Sequence, residues 1–332
     1  MLASPGEIGD VVCDRGVGSQ SAMISIMSES TVTTDPAWGG QTMVAPLKRV
    51  LVRKPAPPAA EEHFANFGYP RAVDHDRTQR EHDAFRGLLA ASGAEVVVAG
   101  PDEAGLLDAI FAYDPSLVTD AGAALLRPGK ELRLPEVNLA EQAYAELGIP
   151  VIGRIEAPGT VEGGDTLWLD EHTLAVGRGY RTNSEGIRQL SALLAPHGID
   201  VMTVDLPHWR GPAECLHLMS FISPVADRLA VVYLPLMSVP FVEELQRRGW
   251  SLIEVPDEEF ETHGCNVLTV APMRVLVCDG SPVTRTRLEA AGCEVLVYTG
   301  DELSHNRAGG PTCLTRPLLR AADPAAGISS AP

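Results

Sequence analysis

No stretch of this 332-residue chain reaches the ~20 consecutive apolar residues that a membrane helix needs. No apolar run followed by a small-residue cleavage site marks a secretory signal either. A membrane is thereby excluded as a partner. The six cysteines (Cys13, Cys215, Cys265, Cys278, Cys293, Cys313) include no C-x-x-C pair. Scattered thiols of this kind suit a reducing cytoplasm, and they argue against a disulfide framework and against a metal centre. Positive charge is scarce, with 26 Lys and Arg against 44 Asp and Glu, a formal charge of −18. Phosphate contacts require clustered Lys and Arg, so nucleic acid is excluded. Solubility alone accounts for such a charge, and a cationic small substrate is compatible with it.

At 45% hydrophobic the chain can bury a full core, as one large domain or two small ones. Residues 1–44 lack sustained periodicity and are rich in Ser, Gly and Thr, which predicts a disordered leader; a disordered tail is expected over 321–332. The apolar run Lys48–Arg53, stopped by Pro55, predicts the first strand. The segment from His63 to Pro70 interleaves aromatics with glycine, as suits a cover over a site or a plain surface loop.

From there a phrase recurs: an amphipathic helix, a glycine, then a β-branched run. The glycines are Gly93, Gly148, Gly198, Gly249 and Gly292, spaced 55, 50, 51 and 43 positions apart. Glycine just past a helix is the left-handed C-cap signal. Ahead of most helices lie two strand-like runs, such as Ser116–Thr119 with Ala123–Leu126. Five strand–strand–helix–strand units with a period near 50 residues predict one α/β domain of repeated units over 45–320, closed into a ring with loops converging on its axis. The helical patterns exclude an all-β propeller.

Candidate chemistry sits at strand ends and turns. Asp108 and Asp114 lie in an apolar run, costly to bury without a cationic partner. Glu162 and Asp165 flank two glycines, which let carboxylates approach a ligand or simply form a surface turn. His217 stands between leucines, where a core histidine is the ordinary occupant. Cys313 follows Gly309-Gly310-Pro311-Thr312, a turn that presents a thiol. Arg133 and Arg181 are exposed charges or carboxylate clamps. One thiol, one imidazole, several acids and two arginines suit a substrate with a cation at one end and a carboxylate at the other.

These motifs carry a resemblance. Glu162-Gly163-Gly164-Asp165, Arg181-Thr182-Asn183-Ser184-Glu185-Gly186, Leu216-His217-Leu218-Met219-Ser220-Phe221 and Gly309-Gly310-Pro311-Thr312-Cys313 resemble the guanidino-group modifying enzymes. That superfamily holds arginine deiminases, amidinotransferases and dimethylargininases. Val73-Asp74 leading into Glu81-His82, and Phe111-Ala112-Tyr113-Asp114, are similar to the dimethylargininases in particular. The resemblance runs from about Val44 to Leu319 and implies a five-bladed α/β propeller, the pentein fold. It implies that Cys313 attacks the guanidinium carbon to form a covalent thiouronium, and that His217 protonates the departing amine and then activates water. Asp114 and Glu162 would hold the guanidinium nitrogens, with Asp108 contacting the substrate nearby and Asp165 shaping the site. Arg133 and Arg181 would bind the substrate carboxylate. No cofactor and no metal is implied, the partner is a small guanidino compound, and a homodimer is allowed.

Met219 stands where the deiminases have an aspartate, which favours the dimethylargininase side. Ala308 replaces the acid usual five residues before the cysteine, and Tyr113 stands where relatives often have glutamate. The expected activity is a cytoplasmic hydrolase giving citrulline and an alkylamine from methylated arginine. Its rivals are an arginine deiminase or amidinotransferase, told apart by ammonia release or transfer to an amine, and a non-catalytic relative that binds arginine-like ligands without turnover.

Overall fold

The structure, a computed structural model, describes residues 37–100 and 104–321. The expected leader and tail therefore lie outside the described residues, except for 37–44 and Ala321. Those eight leading residues are built into the fold, which moves the start of order ahead of the predicted 45. Gly39 N donates to Leu318 O at 2.8 Å, Arg320 N donates to Gly39 O at 2.9 Å, and the Tyr113 hydroxyl meets Met43 Sδ at 3.9 Å. The pairing comes from a strand far away in sequence, so local composition gave no sign of it.

Antiparallel strands need only a tight turn, whereas parallel neighbours need a crossover. Each repeat uses both. β1 (Leu47–Arg53) crosses through α1 (His75–Ala91) to the parallel β2 (Glu95–Ala99). β3 (Ser116–Thr119) turns back into β4 (Gly122–Leu125), which crosses through α2 (Leu134–Leu147) to the parallel β5 (Val151–Arg154). The same order follows in β6 (Thr166–Asp170), β7 (Thr173–Arg178), α3 (Ser184–Leu194) and β8 (Asp200–Asp205). It recurs in β9 (Ile222–Ala226), β10 (Leu229–Val232), α4 (Val239–Arg247) and β11 (Ser251–Glu254). After the one-turn α5 (Asp257–Phe260), the fifth copy is β12 (Leu268–Ala271), β13 (Arg274–Cys278), α6 (Pro282–Ala290) and β14 (Glu294–Tyr298). β15 (Arg316–Arg320) then pairs antiparallel with β1 and supplies the leading strand that the first copy lacks. The result is five three-stranded sheets.

All five glycines of the repeat have positive φ, from 69° at Gly148 to 97° at Gly93, as the left-handed cap requires. Helix faces fill the space between sheets. Ile187, Leu190 and Leu194 recur at helical spacing on α3 and pack with Leu174 and Val176 of β7. Burying each such side chain contributes about 1.5–3 kcal/mol. Among the described residues, no helix is long and apolar enough to cross a membrane, and the five described cysteines are free.

Candidate active site

Each unit sets a polar side chain just ahead of its leading strand. Asp114 precedes β3, Glu162 and Asp165 precede β6, His217 precedes β9, Asn266 precedes β12 and Cys313 precedes β15. Repetition of the fold thus brings five separate chain segments to one place. Asp114, His217, Asn266 and Cys313 line a single cavity of about 520 Å³, joined by Asp108, Arg133 and Arg181.

Glu162 lies behind that wall, not on it. It is fully buried, with Oε2 2.6 Å from His217 Nε2, while Oε1 accepts from Arg181 Nε and from Gly129 N, both at 2.9 Å. The Glu162 carboxylate, expected to face the guanidinium, is bonded to His217 and Arg181. Burial opposes its ionisation, but Arg181 and His217 together hold its pKa well below the carboxylate range. Asp165 is equally buried and accepts from Leu218 N at 2.9 Å, so it fixes the turn that carries His217. Burial pushes the Asp165 carboxyl up to about 6. A side chain at Gly164 would overlap the His217 ring, which is the close approach that demanded glycine there.

His217 is held as a cation. Burial works against its charge, yet Cys215, Asp114 and Asp165 raise its pKa well above that of ordinary imidazole. With Nε2 on Glu162, Nδ1 is the nitrogen left to exchange a proton. Cys313 Sγ accepts from Asn266 Nδ2 at 3.2 Å, and Asn266 Oδ1 accepts from Thr312 N at 3.0 Å. Burial, seconded by Asp114, pushes the Cys313 thiol up to about 11. A nearby cation would be needed to favour the thiolate at this position.

Both arginines expected to clamp a carboxylate are engaged. Arg133, 2% exposed, donates Nη1 to Asp114 Oδ2 at 2.5 Å and Nη2 to Glu136 Oε2 at 2.6 Å. Arg181 holds Glu162. Asp108 accepts from the Tyr69 hydroxyl at 2.5 Å and from Lys130 Nζ at 2.7 Å. Lys130 Nζ also donates to Phe67 O at 3.0 Å, which ties the Phe67–Pro70 segment to the cavity wall. The donor atoms of Asp114, Glu162 and His217 lie within 4.8 Å of one another. Arginines already pair with both acids, and the raised pKa of His217 works against its serving as a neutral metal ligand.

Three cavity residues escaped the sequence reading. Asn266 stands two residues ahead of its strand, as Asp114 does, a signal that aligning the repeats would have exposed. Cys215, inside the His217 motif, has Sγ 3.9 Å from Nδ1. Arg307 is 3% exposed, donates Nη1 to Leu107 O at 2.8 Å, and has no hydrogen-bond partner on Nε or Nη2.

The family profile described as N,N dimethylarginine dimethylhydrolase, eukaryotic, matches residues 54–320. The chain belongs to the dimethylarginine dimethylaminohydrolase family. It is 32% identical over 271 residues to the N(G),N(G)-dimethylarginine dimethylaminohydrolase of Streptomyces coelicolor, covering 81% of this chain and 96% of that one. The dimethylarginine dimethylaminohydrolase of Pseudomonas aeruginosa, solved as a cysteine-to-serine mutant complexed with citrulline, is similar with a TM-score of 0.67 and 27% identity, over 81% of this chain and 98% of that one. An amidinotransferase of Microseira wollei from the saxitoxin biosynthetic pathway shares the fold, with a TM-score of 0.70 at 16% identity over 86% and 98% of the two chains. Dimethylarginine dimethylaminohydrolase relatives and an amidinotransferase thus share one α/β architecture with the five sheets described above.

Proposed function

We propose that this chain hydrolyses the guanidino group of Nω-methylated arginine, giving citrulline and a methylamine. The observation that carries the reading is the Glu162–His217 pair at 2.6 Å, opening on the same cavity as a cysteine whose sulfur is gripped by Asn266. The substrate guanidinium arrives as a cation and competes with Arg133 for Asp114. Its charge favours the Cys313 thiolate, whose proton leaves to solvent, and the thiolate attacks the central carbon. His217 Nδ1–H passes its proton to the departing dimethylamine as the carbon–nitrogen bond breaks, leaving a thiouronium on sulfur. Water then attacks that carbon, His217 takes one of the two protons released, and the carbon–sulfur bond breaks as the other goes to sulfur, releasing citrulline and the Cys313 thiol.

For the carboxylate end, the reading adds Arg307 to Arg133 and Arg181. A buried guanidinium with two unpaired nitrogens beside the cavity is a costly arrangement unless an anion completes it. The reading also takes the five sheets as blades of a closed propeller, supported by the β15–β1 pairing, and a cytoplasmic location, supported by the free thiols. Met219 lines the cavity where a second carboxylate against the guanidinium would favour unmethylated arginine, which supports hydrolase over deiminase.

A panel of purified variants tests the proposal, with asymmetric dimethylarginine, arginine and agmatine as substrates and citrulline or amine release as the readout. Wild type should prefer dimethylarginine, and Cys313→Ser should lose at least ~10³-fold in kcat. Arg307→Met should raise KM by about 10-fold with kcat nearly unchanged, because it removes a contact made equally in ground and transition states. Full turnover by Cys313→Ser, or a preference for arginine, would overturn the assignment.

A further inference from the structure

We propose that Cys278, Asp279 and His305 form a site for a divalent transition-metal ion of the zinc type, apart from the catalytic cysteine. Cys278 ends β13, Asp279 follows it in the turn, and His305 closes the π-helical turn Asp301–His305. Cys278 Sγ lies 3.5 Å from His305 Nε2 and 3.5 Å from Asp279 Oδ1, and His305 Nε2 lies 3.5 Å from Asp279 Oδ1. A tetrahedral ion about 2.3 Å from sulfur and about 2.0–2.2 Å from nitrogen and oxygen requires its donors to stand roughly 3.3–3.6 Å apart. The three atoms stand at the spacing of one face of that tetrahedron, and His305 Nε2, which now lies 3.0 Å from Asp279 O, would exchange that hydrogen bond for the ion.

The surroundings fit an ion as well. Cys278 is 3% exposed, while the His305 and Asp279 side chains are 27% and 43% exposed, so sulfur sits at the base and the rim opens to solvent. Water entering from that side would complete the fourth position. A Cβ at Gly300 would lie 2.7 Å from Cys278 Sγ, and one at Gly280 would lie 3.3 Å from His305 Cε1, so two glycines keep the space clear. Gly300 N donates to Asp279 Oδ1 at 3.2 Å and orients the carboxylate. Thiolate with imidazole selects zinc or cobalt over magnesium or calcium. The cysteine pattern argued against a metal because His305 stands 27 positions from Cys278 and no ligand pair has a local signature.

A bound ion would tie the end of β13 to the segment leading through Asn306 and Arg307, both on the cavity wall, to Cys313. The test uses the full chain carrying Cys215→Ala and Cys313→Ser, so that the two cavity thiols cannot bind the probe. Titration with Co²⁺ should give one equivalent with sulfur-to-cobalt charge-transfer absorption. Adding Cys278→Ser should abolish that band, and Asp279→Asn or His305→Gln should weaken binding at least ~10-fold. Zn²⁺ should raise the Tm of the parent and not of the Asp279→Asn variant. If Cys278→Ser fails to fold, the other two variants decide. Absence of the band in the parent, or an unchanged affinity in both Asp279→Asn and His305→Gln, would overturn the proposal. Turnover is not read at all, so the outcome is independent of the hydrolase assignment.

Discussion

Cys215 and Cys313 border the same cavity, yet their neighbours drive them in opposite directions. Surrounding protein atoms oppose ionisation of both, although Cys215 is exposed to solvent and Cys313 only partly so. At Cys215 that cost is outweighed by His217 and Arg181, and its pKa falls below that of an ordinary thiol. At Cys313 the nearby Asp114 adds to burial, and the pull of Asn266 and His217 is too weak to bring the pKa below about 11. Alkylation consumes thiolate, so iodoacetamide at pH 7 should label Cys215 first, and labelling of Cys313 should rise with pH throughout the alkaline range. A reagent that carries its own amidinium, 2-chloroacetamidine, should reverse the order, because it brings to Asp114 the cation that the sulfur lacks. Peptide mapping by mass spectrometry against time and pH reads both rates. Faster iodoacetamide labelling of Cys313 at neutral pH would show that the resting nucleophile is already ionised. The family resemblance, not the residues alone, singled out Cys313 and His217, because a lone cysteine and an imidazole between leucines are ordinarily core residues. It could not foresee that Glu162 faces His217, since that depends on two other places in the chain: Gly129 and Arg181 donate to the carboxylate, and Thr182 Oγ1 accepts from the Glu162 backbone N–H.

At the scale of elements, the helix–glycine–strand phrase was legible because the left-handed cap is a local backbone demand with one preferred residue. The 3-10 turns that carry Asp165 and His217 left no such mark. They form only when side chains such as Asp165 satisfy their backbone donors. Two glycines separate these cases. Gly148 has φ 69°, and a Cβ there meets nothing within 4 Å, so Gly148→Ala bears only the left-handed strain. It should cost about 1 kcal/mol of stability in urea unfolding and leave kcat intact. Gly164→Ala instead drives a methyl into the His217 ring. A displacement of that size at a proton-transfer group should lower kcat by ~10²-fold or more. Equal effects of the two substitutions on kcat would mean that Gly164 is merely another turn residue.

At the scale of the whole molecule, the first and last described strands pair with each other, and no local reading could have supplied that pairing. β1 bonds to β15 across more than 260 positions, and Leu318 of β15 is fully buried beside Leu51 and Val118. Contacts of such range form late and slowly, because the loop entropy is lost before the pairing compensates it. Removing everything from Thr315 onward would leave the hydrogen-bonding edge of β1 open and the Cys313 turn anchored on one side only. That truncated chain should show no cooperative thermal transition and no turnover. Connectivity itself should matter far less. Gly39 N already touches Leu318 O, so the first and last described segments can be joined by a short linker. A circular permutant of residues 37–321, joined in this way and opened at the Asp227–Arg228 turn between β9 and β10, keeps every sheet pairing. It should unfold cooperatively and retain turnover within ~10-fold of the parent chain. If the permutant fails while folding of the truncated chain survives, the β15–β1 contact is not what closes the fold, and the convergence of five turns on one cavity needs another cause.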